Sequence, residues 1–234
     1  MATFQPAVHQ LVDLSQKSLY STSATRSYLL PWGNHSGRTL THPVSALSIA
    51  FNPLFWNIVA RQEYHNKVLT KLFGGRSQIA CYALAATIFS LGLVRDSLYE
   101  RALRHQPSYP LLETTGAQYL AYALIGVGNI LVVSSTWALG ITGTFLGDYF
   151  GILMDSIVTG FPFNITDAPM YHGSTCSFLG VAILYGKPAG FLLTLWVYIV
   201  YKIALNYENP FTAGIYAKRD RERAVAAGDN KKSR

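Results

Sequence analysis

Apolar blocks alternate with short charged segments along most of the chain. Residues 78–94 form an uncharged apolar segment between Arg76 and Arg95, and residues 117–146 contain no charged residue. Because a helix of about 20 apolar residues crosses a 30 Å hydrocarbon core, both segments are predicted to span a membrane. Residues 189–207 are also long enough to cross.

An earlier apolar block, residues 44–60, is less regular. It lacks charge but contains Asn52, Pro53 and Asn57. Proline removes a helical hydrogen bond, so this block is predicted to be a re-entrant or interfacial helix rather than a span.

The last apolar part of the chain allows two arrangements. Residues 176–185 are too short to cross alone, and they precede a turn at Gly186-Lys187-Pro188. Either residues 189–207 form a third and last span, or residues 176–185 and 189–207 together form a helical hairpin. The hairpin would bring the segment before it and the end of the last helix to one side of the membrane.

Composition supports a membrane protein. Half of the 234 residues are hydrophobic and 13% are charged, whereas soluble domains carry roughly 25% charged residues. The fold predicted is an all-α, multi-pass helical bundle. Cys81 and Cys176 are too few for a disulfide framework or a metal site, so no metal is expected. The net charge of +7 forms no basic stripe interleaved with aromatics, which disfavours nucleic-acid binding.

Charge divides the chain into three parts. Residues 1–43 are predicted to be an N-terminal arm, residues 44–217 a membrane core, and residues 218–234 a basic tail with seven basic residues and three acids. Residues 61–76 carry four basic residues and one acid. Cytosolic loops are enriched in Lys and Arg, so this loop and the tail are predicted to be cytosolic.

Candidate chemistry is concentrated in residues 140–175. This stretch holds three aspartates and a histidine among aromatic residues: Asp148, Asp155, Asp167 and His172. Its glycines recur at steps of three and four, at Gly140, Gly143, Gly147 and Gly151. On a helix they would form one smooth face for close packing.

Several blocks resemble a known family. They are FNPLFWNIVAR (51–61), GTFLGDYFGIL (143–153), VTGFPFN (158–164), APMYHGST (168–175) and NPFTAGIY (209–216). They are similar to the phospholipid methyltransferases that make phosphatidylcholine. LAATIFSLGLVRD (84–96) resembles the fungal branch, the phosphatidyl-N-methylethanolamine N-methyltransferases, which act mainly on mono- and dimethylated lipids.

The resemblance implies a membrane enzyme that uses S-adenosylmethionine. In that family a Gly-x-Gly and a pair of acids are associated with the cofactor. Here they match Gly126-Val127-Gly128 and Glu208, while Asn209 replaces the second acid. Judged alone, such a Gly-x-Gly is a helix-packing motif, because it follows no strand and opens no dinucleotide turn. The implied location is the endoplasmic reticulum membrane, with a mitochondrial membrane left open, and the partner is a phospholipid in the bilayer.

Methyl transfer to an amine requires a free lone pair. An amine with a pKa near 10.4 is protonated at pH 7, and removing the proton costs roughly 4.6 kcal/mol. His172, Asp148 and Asp167 are the candidate bases, and His172 is slightly favoured because the ordinary pKa of histidine lies closest to pH 7. Aromatic faces bind methylated ammonium groups, so Tyr149, Phe163 and Tyr171, with Phe150 and Phe161, are predicted to surround the substrate. An aromatic belt at the membrane surface would require the same residue types.

Two other functions fit parts of the pattern. A methyltransferase acting on isoprenylated cysteine carboxylates would share the cofactor end, but it usually shows Arg-His-Pro where this chain has Asp167-Ala168-Pro169. A membrane scaffold or small channel would explain the spans and the glycines without any cofactor. The sequence leaves the oligomeric state and the preferred methylation step undetermined.

Overall fold

The chain folds into a bundle of α-helices. The computed structural model describes residues 35–104 and 106–232, so most of the predicted N-terminal arm lies outside the described residues. The helices are α1 (His35–Asn66), α2 (Val68–Leu72), α3 (Ser77–Arg104), α4 (Thr115–Thr144), α5 (Pro169–Leu184) and α6 (Pro188–Lys232). Two 3₁₀ helices, Pro110–Leu112 and Gly147–Phe150, lie in the connections. No strand occurs in the described part, which confirms the all-α prediction.

Within the described residues, four segments are long and apolar enough to cross a membrane. They are Thr41–Asn66, Ser77–Arg104, Thr115–Phe150 and Pro188–Ala227. The first of them contains residues 44–60, which were predicted to be re-entrant or interfacial. Helix α1 continues through Pro53, so by length and composition this segment is also able to span. In an apolar medium every broken helical hydrogen bond is costly, so a helix tolerates a proline better than it tolerates unwinding.

A buried carboxylate organises the turn after α1. Glu63 is fully buried and accepts hydrogen bonds from the backbone N–H of Leu69 at 2.7 Å and of Thr70 at 3.1 Å. The Thr70 hydroxyl donates to it as well. These bonds satisfy donors at the start of the short helix α2, which otherwise have no helical partner. The chain therefore reverses tightly from α1 into α3.

The glycines of residues 140–151 do not form one helix face, so that prediction is wrong. Gly140 has φ +66° and kinks α4, and Gly151 has φ +80° after the 3₁₀ helix. Both values lie in the left-handed region that glycine adopts without steric cost. At Gly147, a side chain would come within 2.7 Å of the Thr142 carbonyl oxygen. These glycines turn the chain at the end of α4 and so place Asp148 at the site described below.

The predicted helical hairpin is present. Helices α5 and α6 are joined by the short turn 185–187. That turn contacts the loop between α3 and α4, since Gly186 O accepts from Tyr109 N at 2.8 Å and Lys187 Nζ donates to Gln106 O at 2.8 Å. The start of α5 and the second half of α6 therefore lie at the opposite end of the bundle, together with the 61–76 turn. Helix α6 runs through residue 217, and the tail boundary there stays a prediction.

Small residues allow the last three helices to pack closely. A Cβ atom on Gly128 of α4 would lie 2.5 Å from the carbonyl oxygen of Gly173 on α5, and one on Gly190 of α6 would lie 2.5 Å from Cβ of Ala182. Membrane helices associate through such close contacts, since apolar burial drives little association in lipid. Two buried clusters hold the ends of the bundle, one around Tyr99 and Val197 and the other around Cys81 and Tyr149.

Candidate functional site

A cavity of about 1320 Å³ lies inside the bundle. Its walls come from α1, α3, α4, α5, α6 and the segment between α4 and α5. The charged groups that line it are mostly acidic: Asp96, Glu100, Asp148, Asp167 and Glu208, with Arg95 as the basic residue among the described lining residues. Such a cavity favours ligands that carry positive charge.

Glu208 is a buried acid of this cavity that is held by three different side chains. Its Oε1 accepts hydrogen bonds from Trp56 Nε1 at 2.6 Å and Asn57 Nδ2 at 2.7 Å, and its Oε2 accepts one from the Tyr171 hydroxyl. Burial, followed by the adjacent Glu208 carboxylate, raises the pKa of Tyr171 well above its ordinary value. The Tyr171 hydroxyl therefore remains a donor. Three donors orient the Glu208 carboxylate within the cavity wall.

Asp148, in the 3₁₀ helix Gly147–Phe150, contacts α6 one turn after Glu208. Its Oδ2 accepts a hydrogen bond from the Thr212 hydroxyl at 2.8 Å. Thr212 follows Glu208 by four residues on α6, and side chains at that spacing are neighbours, about 5–6 Å apart at Cβ. The glycine turn at the end of α4 and one face of α6 thus bring two carboxylates to the same end of the cavity.

The other two predicted bases, Asp167 and His172, are less well positioned to contact a ligand in the cavity. Asp167 lines the cavity but is exposed. His172 is half-buried at the start of α5, where its Nδ1 is 2.6 Å from the Thr166 hydroxyl, and it is not among the residues that line the cavity. Of the three candidates, Asp148 is the one that is half-buried, lines the cavity and lies at the same end of it as Glu208.

Comparison with known proteins identifies the family. The profile described as phospholipid methyltransferase matches residues 117–219. The phosphatidyl-N-methylethanolamine N-methyltransferase of Neurospora crassa is 73% identical over 189 residues, which cover 81% of this chain and 88% of the relative. The chain belongs to the phospholipid methyltransferase family.

Relatives extend beyond the filamentous fungi. The enzyme of the same name from Saccharomyces cerevisiae is 61% identical, covering 73% of this chain and 82% of the relative. The human phosphatidylethanolamine N-methyltransferase is 48% identical over 81% of this chain and 92% of the relative. No solved structure matches. The family resemblance read from the sequence blocks is confirmed.

The aromatic residues predicted to surround the substrate divide into three groups in this family member. Phe163 and Tyr171 line the cavity. Tyr149 is fully buried and stacks on Phe211 with ring centroids 5.0 Å apart, while Phe150 is buried in the same cluster. Phe161 is half exposed at the surface. Trp56 and Tyr216 also line the cavity, so its aromatic wall differs in part from the predicted one.

The two predicted cofactor motifs lie in different surroundings. Glu208 and Asn209 both line the cavity. Gly126, Val127 and Gly128 do not: Val127 is half exposed on the outer surface of α4, and Gly128 is buried against α5. The geometry of this phospholipid methyltransferase therefore favours the helix-packing role of the Gly-x-Gly.

Substituting the two glycines separates these roles. We expect Gly128→Ala to lower stability by about 1–3 kcal/mol, because its Cβ would overlap Ser177 Oγ and Gly173 O. Gly126→Ala is the matched control, since a Cβ there meets no atom within 4 Å. Thermal unfolding in detergent measures the difference. Weaker binding of the methyl donor by Gly126→Ala, without loss of stability, would contradict a packing role.

Sequence reasoning missed three of the residues that bind the two acids. Trp56 and Asn57 belong to α1, which was predicted not to span, and they lie about 150 residues from Glu208 in the chain. Thr212 was not singled out either. The one sequence signal was that the blocks containing these residues, 51–61 and 209–216, both carry the family resemblance.

Proposed function

We propose that this chain transfers methyl groups from S-adenosylmethionine to the amine of phosphatidylethanolamine derivatives, from monomethyl to dimethyl lipid to phosphatidylcholine, in the endoplasmic reticulum membrane. One observation carries the proposal. A cavity inside a membrane bundle brings Glu208 and Asp148 together, in a chain 73% identical to an enzyme named for this reaction. The names of the relatives favour a phospholipid acceptor over an isoprenylated carboxylate and over a scaffold role.

The residues of the site fit S-adenosylmethionine. When bound, it supplies an electrophilic methyl group on a positively charged sulfur. Glu208 offers a carboxylate to the ammonium or the ribose hydroxyls of such a ligand, and charge-assisted hydrogen bonds of this kind are the stronger ones. Asn209 lines the cavity beside it, and its side-chain amide can both donate hydrogen bonds to such a ligand and accept them from it.

Asp148 is placed to take the proton from the acceptor amine. Thr212 holds one oxygen of its carboxylate, and Asp148 lines the cavity next to Glu208. The acidic lining attracts the amine in its ammonium form, and a carboxylate within reach accepts the proton that must leave before methyl transfer. The amine lone pair is then free for attack on the methyl group.

Phe163 and Tyr171 are placed to hold the product. Each methylation makes the head group bulkier, and the last one leaves a permanent cation that has no N–H to donate. Aromatic faces attract such a cation with about 0.5–2 kcal/mol each. Both rings line the cavity, and Tyr171 is oriented by its bond to Glu208.

The test is a lipid assay with membranes that contain the protein. They are incubated with methyl-labelled S-adenosylmethionine and, separately, with phosphatidylethanolamine and its monomethyl and dimethyl derivatives. We expect label in phosphatidylcholine chiefly from the two methylated acceptors. Folded protein that labels none of the three lipids would refute the proposal.

The orientation of the bundle gives a further prediction. The 61–76 turn, Asp148 and the segment with Asn164 lie at one end, which we assign to the cytosol from its basic residues. The sequon Asn164-Ile165-Thr166 should therefore carry no glycan, although Asn164 is exposed. Glycosidase treatment and gel mobility measure this. A loop with a sequon inserted after Ser108, at the opposite end, is the positive control. A glycan on Asn164 would reverse the orientation.

A further inference from the structure

Arg95 is a basic residue held inside an acidic cavity. It lies on α3, in the candidate span Ser77–Arg104, and its side chain is only 12% exposed. A charged side chain deep in a membrane segment is costly, and such residues mark ligand sites or ion pairs. The function proposed above does not use this residue.

The guanidinium of Arg95 is rigidly oriented. Its Nη1 donates to the Tyr201 hydroxyl at 2.7 Å, and its Nε and Nη2 each lie 2.9 Å from Asp96 Oδ1. The Phe178 ring lies under it, with the guanidinium carbon 5.1 Å from the ring centroid. These contacts use three of the five N–H donors, so two are without a partner among the described residues. A fixed guanidinium with free donors is suited to an oxyanion.

The distance between Arg95 and Glu208 is sufficient for the head group of a lipid and the reactive part of the methyl donor to lie between them. Tyr201 precedes Glu208 by seven residues on α6, which is about 10 Å along the helix. Tyr171 bridges the two levels, because its hydroxyl bonds to Glu208 and its ring packs on Tyr201 at 4.9 Å. The space between Arg95 and the two carboxylates can therefore hold the reacting groups with an anion at one end.

The cavity opens to the side near Arg95. Phe89 and Leu93 line the cavity, yet they are 61% and 55% exposed on the membrane-facing surface of α3. A wall residue that is also this exposed marks the mouth of the cavity. The acyl chains of a bound lipid can extend through an apolar opening at this depth into the bilayer. A water-soluble methyl donor would not enter from the bilayer. The anionic group of a bound lipid that lies next to its acyl chains would therefore be the one closest to Arg95.

We propose that Arg95, oriented by Tyr201 and Asp96, binds the phosphate diester of the lipid acceptor and so selects phospholipids over neutral lipids that carry the same amine. This inference rests on the proposed function. In an ethanolamine lipid only two carbons separate the phosphate oxygen from the nitrogen. An arginine that holds the phosphate thus also fixes the distance of the amine from Asp148.

The test compares two acceptors and two variants. The acceptors are N-monomethyl phosphatidylethanolamine and a phosphate-free diacyl lipid with the same methylaminoethyl group. Arg95→Gln should lower kcat/KM for the phospholipid by about 10- to 100-fold, the value of hydrogen bonds to a charged group. The phosphate-free lipid should lose little. Arg101→Gln, at an exposed position of the same helix, is the matched control and should leave both acceptors unchanged.

Two results would overturn the inference. An equal loss on both acceptors would make Arg95 a structural brace. A loss seen with S-adenosylmethionine but absent with its decarboxylated analogue would assign the arginine to the carboxylate of the methyl donor instead. If Arg95→Gln does not fold, Arg95→Lys retains the charge and should show a smaller but still phosphate-specific loss. A parent protein that methylates neither acceptor would refute the proposed function itself.

Discussion

Glu208→Gln is expected to weaken binding of the methyl donor about 10²- to 10³-fold while leaving the protein folded. The amide has the shape of the carboxylate, and its oxygen can still accept from Trp56 and Asn57. Its NH₂ group then faces the Tyr171 hydroxyl, which can turn to accept. The substitution therefore removes the charge and little else. Losing one charged partner of a buried contact costs about 3–4 kcal/mol, which is the expected factor.

The measurement is equilibrium binding of labelled S-adenosylmethionine to the purified protein in detergent or lipid. Glu222→Gln is the matched control, since Glu222 is an exposed acid on the same helix. It should bind the donor as the parent protein does. If Glu208→Gln also retained full affinity, Glu208 would make no direct contact with the donor.

Asp148→Asn is expected to lower kcat about 10²- to 10³-fold, which is the usual contribution of a general base. Binding of the methyl donor should be retained, because Glu208 and its partners are untouched. The pH dependence provides a second signature. Without Asp148 the amine must lose its proton unaided, and that becomes tenfold easier for each unit by which pH approaches the amine pKa near 10.4. The ratio of parent to variant rates should therefore fall between pH 7 and pH 9.

Single-turnover rates at several pH values measure this effect. Asp155→Asn is the control, because Asp155 is an exposed acid in the same segment. His172→Gln gives a second comparison, since the sequence analysis slightly favoured His172 as the base. A large loss for His172→Gln with a pH-independent loss for Asp148→Asn would move the role of base to the histidine.

Much of the bundle could be predicted from local pattern. Residues 78–94, 117–146 and 189–207 all fall within helices long enough to cross a membrane. Residues 44–60 were predicted to be re-entrant or interfacial because proline removes a helical hydrogen bond, yet α1 continues through Pro53 and is long enough to span. In lipid the helix continues, since its backbone groups have no other partners. The glycines of residues 140–151 were predicted to form one helix face, but they lie at a kink and in turns. Their spacing of three and four residues is compatible with both arrangements.

The candidate site was predictable only in part. Asp148, Phe163 and Tyr171 were predicted because acids and aromatics are gathered in residues 140–175, and Glu208 was predicted from the family resemblance. The contacts that orient Glu208 and Asp148 were not, because Trp56, Asn57 and Thr212 carry no local signal. Arg95 looked like the charged boundary of a span, whereas it lies inside the longer helix Ser77–Arg104.

The sequence by itself determined the membrane class, the approximate spans, the family and the two acids at which we place the chemistry. Composition and hydrophobic periodicity are local properties that predict which segments lie in the membrane. The blocks of family resemblance are contiguous in the sequence, so they can be recognised without the structure. Only the tertiary structure decided that α1 donates to Glu208, that α4 kinks at Gly140, that Gly128 packs against α5, and that Arg95 faces the cavity. Each of these depends on the packing of helices far apart in the chain, which no local pattern records.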